Sequence, residues 1–163
     1  MRKLLLGLGL VLLVAGCRVV VEGEPSVGIS FGYRYGAVIR RFEPDRGPGA
    51  VYRVGEPVRF FLELARPGYL TLVVTDPDGR RYPIETARWL PAGWNELPPR
   101  WAGYRYTADY PTGLHTVTAY YGSTRGSVTF TFEARSGGYA AAGLQIDQRR
   151  VEDRAVTTLY VAP

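Results

Sequence analysis

Apolar and polar residues alternate with a period of two in several short stretches of this chain. The clearest stretch is residues 58–65, where every second position from Val58 to Leu64 carries a large apolar side chain. A period of two predicts a β-strand with one buried face. By the same criterion we expect further strands at residues 37–42, 69–75, 80–85, 104–109, 114–121 and 127–134.

Turn signals separate these stretches at nearly regular intervals. In Asp76-Pro77-Asp78-Gly79 the first aspartate caps the turn, the proline presets φ, and the glycine accepts the positive φ that follows. Similar signals occur at residues 91–94 and 110–113. Seven or so short strands at this spacing predict an all-β chain folded as an antiparallel β-sandwich. The 20 glycines and 12 prolines further disfavour long helices.

A series of strand-and-turn phrases resembles a family of bacterial envelope domains. In chain order the phrases are Phe42–Gly49, Tyr52–Val58, Pro67–Leu72, Asp76–Gly79, Leu90–Gly93 and Pro111–His115. Together they are similar to domain of unknown function 4384, over residues 37–135. The resemblance implies an immunoglobulin-like sandwich in a secreted or surface protein. It brings no catalytic residues with it, because the family has no assigned activity.

The N-terminus has the three-part layout of a secretory signal peptide. Arg2 and Lys3 form a short positive region, residues 4–14 form an apolar run broken only by two glycines, and small residues follow. This run is shorter than the roughly 20 apolar residues that a transmembrane helix needs, and Arg18 follows it closely. We therefore expect a cleaved signal at residues 1–16 rather than a membrane-spanning helix.

The end of the signal, Val14-Ala15-Gly16-Cys17, resembles the bacterial lipobox. In that class of signals the peptide is cut before the cysteine, and the thiol is acylated. Two or three acyl chains give the stable anchoring that a single chain does not. Cys17 is the only cysteine, so it has no disulfide partner within the chain. The alternative is an ordinary cleaved signal followed by an incidental cysteine.

The predicted signal, the lipobox and the strand pattern divide the chain into four parts and predict a location in the cell envelope. After the signal at residues 1–16 we expect a lipidated N-terminus and tether at 17–36, the sandwich at 37–135, and a flexible joint with a C-terminal strand extension at 136–163. Within this extension, residues 144–147 and 155–161 are expected to pair as a hairpin. Arg18 is not the aspartate that commonly retains lipoproteins in the inner membrane, which favours the outer membrane.

Charge argues against nucleic acid as a partner. The whole chain carries a formal charge of +5, but loss of Arg2 and Lys3 with the signal leaves +3, spread along the sequence. Proteins that bind nucleic acid usually concentrate basic residues in a patch or stripe. We expect the membrane, through the covalent lipid, and envelope proteins or wall polysaccharide as partners.

The residues that usually carry catalysis or bind metals are sparse. His115 is the only histidine, too few with one cysteine for a zinc site, and we expect it to make a structural hydrogen bond. Asp76 and Asp78 fit a plain turn better than a calcium loop, because the later acidic ligands are missing. No spacing selects a pair among Glu56, Glu63, Glu85, Glu96 and Asp109 for glycoside hydrolysis. We therefore predict a non-catalytic protein with no cofactor and no metal.

Three tryptophans, Trp89, Trp94 and Trp101, lie within 13 residues, with Tyr104 and Tyr106 close behind. Exposed aromatic side chains stack on sugars and anchor protein interfaces. Buried ones would instead hold down the connections rich in proline and glycine. We expect at least two of the three tryptophans to be buried in this way. Two functions remain open: a structural or protein-interaction module, or a binder of carbohydrate or wall polymer that uses the tryptophans. A structural module should bury the tryptophans, whereas a binder should expose them along one face.

Overall fold

Every regular element in the part of the chain that the structure describes is a β-strand. The computed structural model describes residues 36–126, 128–131, 134–135, 138–139, 143–147 and 149–163. The strands are β1 (Ile39–Pro44), β2 (Ala50–Arg53), β3 (Pro57–Val58), β4 (Phe60–Leu64), β5 (Gly68–Thr75), β6 (Arg81–Leu90), β7 (Gly93–Leu97), β8 (Tyr106–Thr107), β9 (Gly113–Gly122), β10 (Val128–Thr131), β11 (Ala134–Arg135), β12 (Gly138–Tyr139), β13 (Gly143–Ile146) and β14 (Asp153–Ala162). The predicted all-β class is confirmed.

The larger sheet has five strands in the order β2-β14-β9-β5-β6. All neighbours are antiparallel except β14 and β2, which run parallel. In the middle of this sheet Leu72 lies opposite Ala119, which in turn lies opposite Ala155. All three side chains are buried, so this face of the sheet points into the core.

The smaller sheet has three antiparallel strands in the order β1-β4-β7. On its central strand the alternation predicted for residues 58–65 is present: Phe60, Leu62 and Leu64 are buried, whereas Phe61 and Glu63 are partly exposed. The pairing Phe42 to Leu62 brings a second strand's apolar residues to the same face.

The inward faces of both sheets contribute to one hydrophobic core. Its buried members include Ile39, Phe42, Tyr52, Phe60, Leu62, Leu64, Leu70, Leu72, Leu97, Val117, Tyr121, Leu159 and Val161. A second, smaller cluster lies on the opposite face of the larger sheet, where Val73 and Tyr120 are covered by Ile146 and Val151. Ile146 at the end of β13 and Val151 after it therefore pack on the sheet's outer face.

The predicted turn at residues 76–79 is confirmed. The backbone N–H of Gly79 donates to the carbonyl of Asp76, and Gly79 has φ +80°. The Asp76 carboxylate accepts a hydrogen bond from the backbone N–H of Arg80 at 2.8 Å. Asp76 therefore acts as the turn's cap.

The predicted C-terminal hairpin is wrong. Strand β13 pairs with β10, whereas β14 lies between β2 and β9 in the larger sheet. The physical reason is the strict alternation of β14: Ala155, Thr157, Leu159 and Val161 are all buried and so complete the core face of that sheet. A two-stranded hairpin would have left this apolar face exposed. The wider boundaries predicted at 37–135 and 136–163 stay predictions.

Candidate functional site

A cavity of about 280 Å³ opens between edge strand β6 and the segment of residues 104–109. Buried core side chains form its inner wall: Val58, Phe60, Val74, Val117, Leu159 and Val161. The rest of the lining comes from Tyr82, Ile84 and the whole of residues 104–109, together with His115. Pockets of this kind, apolar inside with a few polar groups, are the usual places for small ligands.

Two tyrosines of the cavity wall share one carboxylate. The hydroxyl groups of Tyr104 and Tyr106 both donate to Oε2 of Glu85 on β6, the second at 2.8 Å. The rings of Tyr104 and Tyr106 lie 6.0 Å apart between centroids, and the ring of Phe60 lies 6.0 Å from that of Tyr106. Aromatic rings therefore form a continuous row from the surface to the core.

The phenol groups around the cavity are held neutral. Burial raises the pKa of Tyr106 far above its usual range, and the hydrogen bond to Glu85 raises it further. The same two causes raise the pKa of Tyr104. Burial also raises the pKa of Tyr82, and the negative charges of Asp76 and Asp109 add to that rise. Since a free tyrosine already titrates near pH 10, all three stay protonated at neutral pH.

This arrangement is not visible in the sequence. There Glu85 is one of several scattered acids, and Tyr104 and Tyr106 stand out only as neighbours of the tryptophans. The one available signal was their spacing, because residues two apart on an extended segment point to the same side. Nothing in the linear sequence indicates that β6 places Glu85 behind them.

His115 makes the structural hydrogen bond that the sequence predicted. The side chain is buried, and its Nε2 lies 2.8 Å from the carbonyl oxygen of Pro111. Because a carbonyl oxygen only accepts hydrogen bonds, Nε2 carries the proton and donates. The residues that the structure describes contain no group of three His, Cys, Asp or Glu side chains placed to hold a metal ion.

The three tryptophans are exposed, so the expectation that at least two are buried is wrong. Trp89, Trp94 and Trp101 have 56%, 58% and 80% of their surface accessible. On β6 and β7 the inward positions belong to Leu90 and Leu97, which are buried. Because strand residues alternate between faces, Trp89 and Trp94 must point outward.

The exposed tryptophans do not share one face. Trp94 lies opposite Glu63 on the outer face of the smaller sheet, whereas Trp89 lies opposite Tyr69 on the outer face of the larger sheet. Trp101 follows β7 in a loop. Arginines cover two of the rings: Cζ of Arg41 is 5.3 Å from the ring centroid of Trp94, and Cζ of Arg88 is 5.1 Å from that of Trp101. These are cation–π distances.

Cys17, the predicted lipidation site, lies outside the described residues. The predicted signal at residues 1–16 also lies there, as does the predicted tether apart from Gly36. Within the described ranges we find no helix with the length and apolar character to cross a bilayer.

Among known proteins, a family model matches the central part of the chain. No curated protein and no solved structure matches the chain. The match to a protein-family model starts in β2 and ends after β9, so strands β1 and β14 lie outside it although both contribute to the core. Residues 51–125 are similar to the family described as Domain of unknown function (DUF4384), which supports the domain indicated by the sequence phrases.

Proposed function

We propose that this chain is a lipid-anchored protein of the bacterial cell envelope, whose non-catalytic, immunoglobulin-like β-sandwich is a protein-interaction module. The observation that carries the interaction role is the exposure of Trp89, Trp94 and Trp101, two of them covered by arginines. Tryptophan and arginine are over-represented among the residues that dominate binding energy at protein interfaces. Two sheets that share one core support the sandwich architecture.

The anchor is proposed from the sequence of the first 17 residues. A positive start, an apolar run and small residues before Cys17 suit export and cleavage in front of a thiol. Acylation of that thiol and of the new N-terminus attaches the chain to a membrane, with the domain outside the cytoplasm. Arg18 favours the outer membrane.

The environment of the acidic side chains supports a non-catalytic domain. Glycoside hydrolysis needs one carboxyl group whose pKa is raised, so that it can donate a proton. Here a hydrogen bond from Arg100 is the main cause that lowers the pKa of Glu96. The pKa of Glu56 is also lowered, first by the backbone N–H of Arg53 and then by Arg46. These carboxylates are surface ion-pair partners.

Replacing Cys17 by serine tests the anchor. We expect Cys17→Ser to abolish labelling by a fatty-acid analogue and to leave an uncut precursor, because a hydroxyl does not form the thioether. Arg18→Lys is the matched control and should label like the wild type. The measurement is in-gel detection of the label together with the size of the chain. Labelling that persists in Cys17→Ser would refute the lipoprotein assignment.

Binding to wall polysaccharide is the second candidate function, favoured because all three tryptophans are exposed. Each of Trp89→Ala, Trp94→Ala and Trp101→Ala should change the free energy of unfolding by less than about 1 kcal/mol, since an exposed ring loses little packing. Loss of a stacking ring weakens binding by about 1–3 kcal/mol.

A binding measurement on each variant separates the two candidate functions. For a protein-interaction module, we expect each substitution to weaken binding to a polysaccharide-free fraction of envelope proteins and to leave binding to purified polysaccharide unchanged. The opposite result would make the protein a polysaccharide binder.

A further inference from the structure

The cavity beside β6 combines aromatic walls, nearby carboxylates and an aliphatic interior. We infer that it binds a small organic cation of the alkylammonium class. This site involves neither Cys17 nor any of the three tryptophans, so it stands independently of the function proposed above.

The aromatic side chains supply the first argument. Tyr82, Tyr104, Tyr106 and Phe60 all line the cavity. The face of an aromatic ring carries partial negative charge and attracts a cation, most strongly where water is excluded. The hydroxyls of Tyr104 and Tyr106 donate to the Glu85 carboxylate, and donation to an anion polarises electron density toward the ring. Both rings are thereby better partners for positive charge.

The charges around the cavity supply the second argument. Asp109 lies on the wall, Glu85 lies behind two of the tyrosines, and the Asp76 carboxylate acts on the Tyr82 hydroxyl. The guanidinium of Arg105 also lines the cavity and belongs to an exposed residue, and the positive charge of Arg88 acts on the Tyr104 hydroxyl. Three carboxylates against two guanidinium groups leave an excess of negative charge, which favours a positively charged occupant over an anion.

The aliphatic interior of the cavity favours an organic cation over a metal ion. Val74, Val117 and Leu159 are buried aliphatic side chains, which solvate alkyl groups but offer no oxygen ligands. Calcium and magnesium require six or more oxygen ligands, usually including several carboxylates, and Asp109 is the one carboxylate among the lining residues, so a bare metal ion does not suit this cavity. A volume of about 280 Å³ also lies just below the range of pockets that hold drug-sized ligands. A small alkylammonium ion matches both size and polarity.

Two probes of the same shape distinguish the effect of charge: choline, which is positively charged, and its neutral carbon isostere, 3,3-dimethyl-1-butanol. We expect the full chain, purified in a non-ionic detergent, to bind choline at least about tenfold more tightly than the alcohol in a nuclear magnetic resonance titration. The two probes fill the same volume, so any preference reports the positive charge. Equal affinity for the two probes, tighter binding of the alcohol, or no binding of choline would each overturn the inference.

Substitutions locate the binding to this cavity. Tyr82→Leu and Tyr104→Leu should each weaken choline binding by about five- to tenfold, because both rings are partly exposed at the mouth and can be removed without emptying the core. Tyr160→Leu is the matched control, since Tyr160 is equally exposed but lies on the outer face of β14. Asp109→Asn, at an exposed position, should weaken binding of choline and not of the alcohol. Losses in Tyr160→Leu as large as those at the cavity would refute the location.

Discussion

Asp153→Ala should lower the free energy of unfolding by about 2–6 kcal/mol. Its Oδ2 accepts hydrogen bonds from the backbone N–H groups of Val38 and Ile39, each at 2.7 Å. Both of those residues are buried, so alanine would leave two donors unpaired, at about 1–3 kcal/mol each. This carboxylate joins the start of β1 to the start of β14 and thus links the smaller sheet to the larger one.

Gly36 allows this link to form. A Cβ at position 36 would overlap the Asp153 carboxylate. Gly36→Ala should therefore cost about 1–3 kcal/mol in the wild type, the usual range for overpacking, and almost nothing in Asp153→Ala, where the overlapping atoms are gone.

Chemical denaturation of the four members of this double-mutant cycle measures the coupling. Asp153→Asn is the matched control: its amide oxygen can still accept both hydrogen bonds, so it should retain most of the stability that alanine loses. Additive effects of the two alanine substitutions, or equal losses in Asp153→Asn and Asp153→Ala, would contradict this role.

The strand pattern was predictable where burial is one-sided. Residues 60–64 alternate because the smaller sheet packs one face on the core, and this alternation is visible in the sequence. Strand β7 was missed because Gly93-Trp94-Asn95-Glu96-Leu97 contains only one core residue, Leu97, and its tryptophan points outward. A large apolar side chain does not reveal which face of a strand it occupies.

Pairing partners were not predictable in the same way. The alternation of β14 is as clear as that of β4, but its neighbours β9 and β2 are distant in sequence. The prediction of a local hairpin assumed that adjacent segments pair, which is the commoner arrangement but is overridden here by the apolar face that β14 adds to the core. The cavity was not predictable for the same reason, because its walls come from β6 and residues 104–109, which are separate segments of the sequence.

Gly68→Ala should lower the free energy of unfolding by at least about 3 kcal/mol, the upper part of the range for overpacking a rigid core. A Cβ at position 68 would lie 2.5 Å from Cζ and from the hydroxyl oxygen of Tyr121. That ring cannot move aside easily, because it is fully buried and its hydroxyl donates to the carbonyl of Pro67 at 2.7 Å. The backbone of β5 is held in place by its two neighbours, β6 and β9.

Gly103→Ala provides the matched control for this prediction. Position 103 has an ordinary φ and nothing within 4 Å of an added Cβ, so alanine should change stability by no more than about 0.5 kcal/mol. Denaturant midpoints of the two variants give the comparison, and near-ultraviolet circular dichroism reports the packing of the tyrosine rings. Tyr121→Phe keeps the ring, so Gly68→Ala should stay costly in that background, since Cζ remains 2.5 Å from the new methyl group. A cost below about 1 kcal/mol for Gly68→Ala in the wild type would show that β5 and β9 separate readily at this point. In a close-packed core, an added methyl group produces more strain than that.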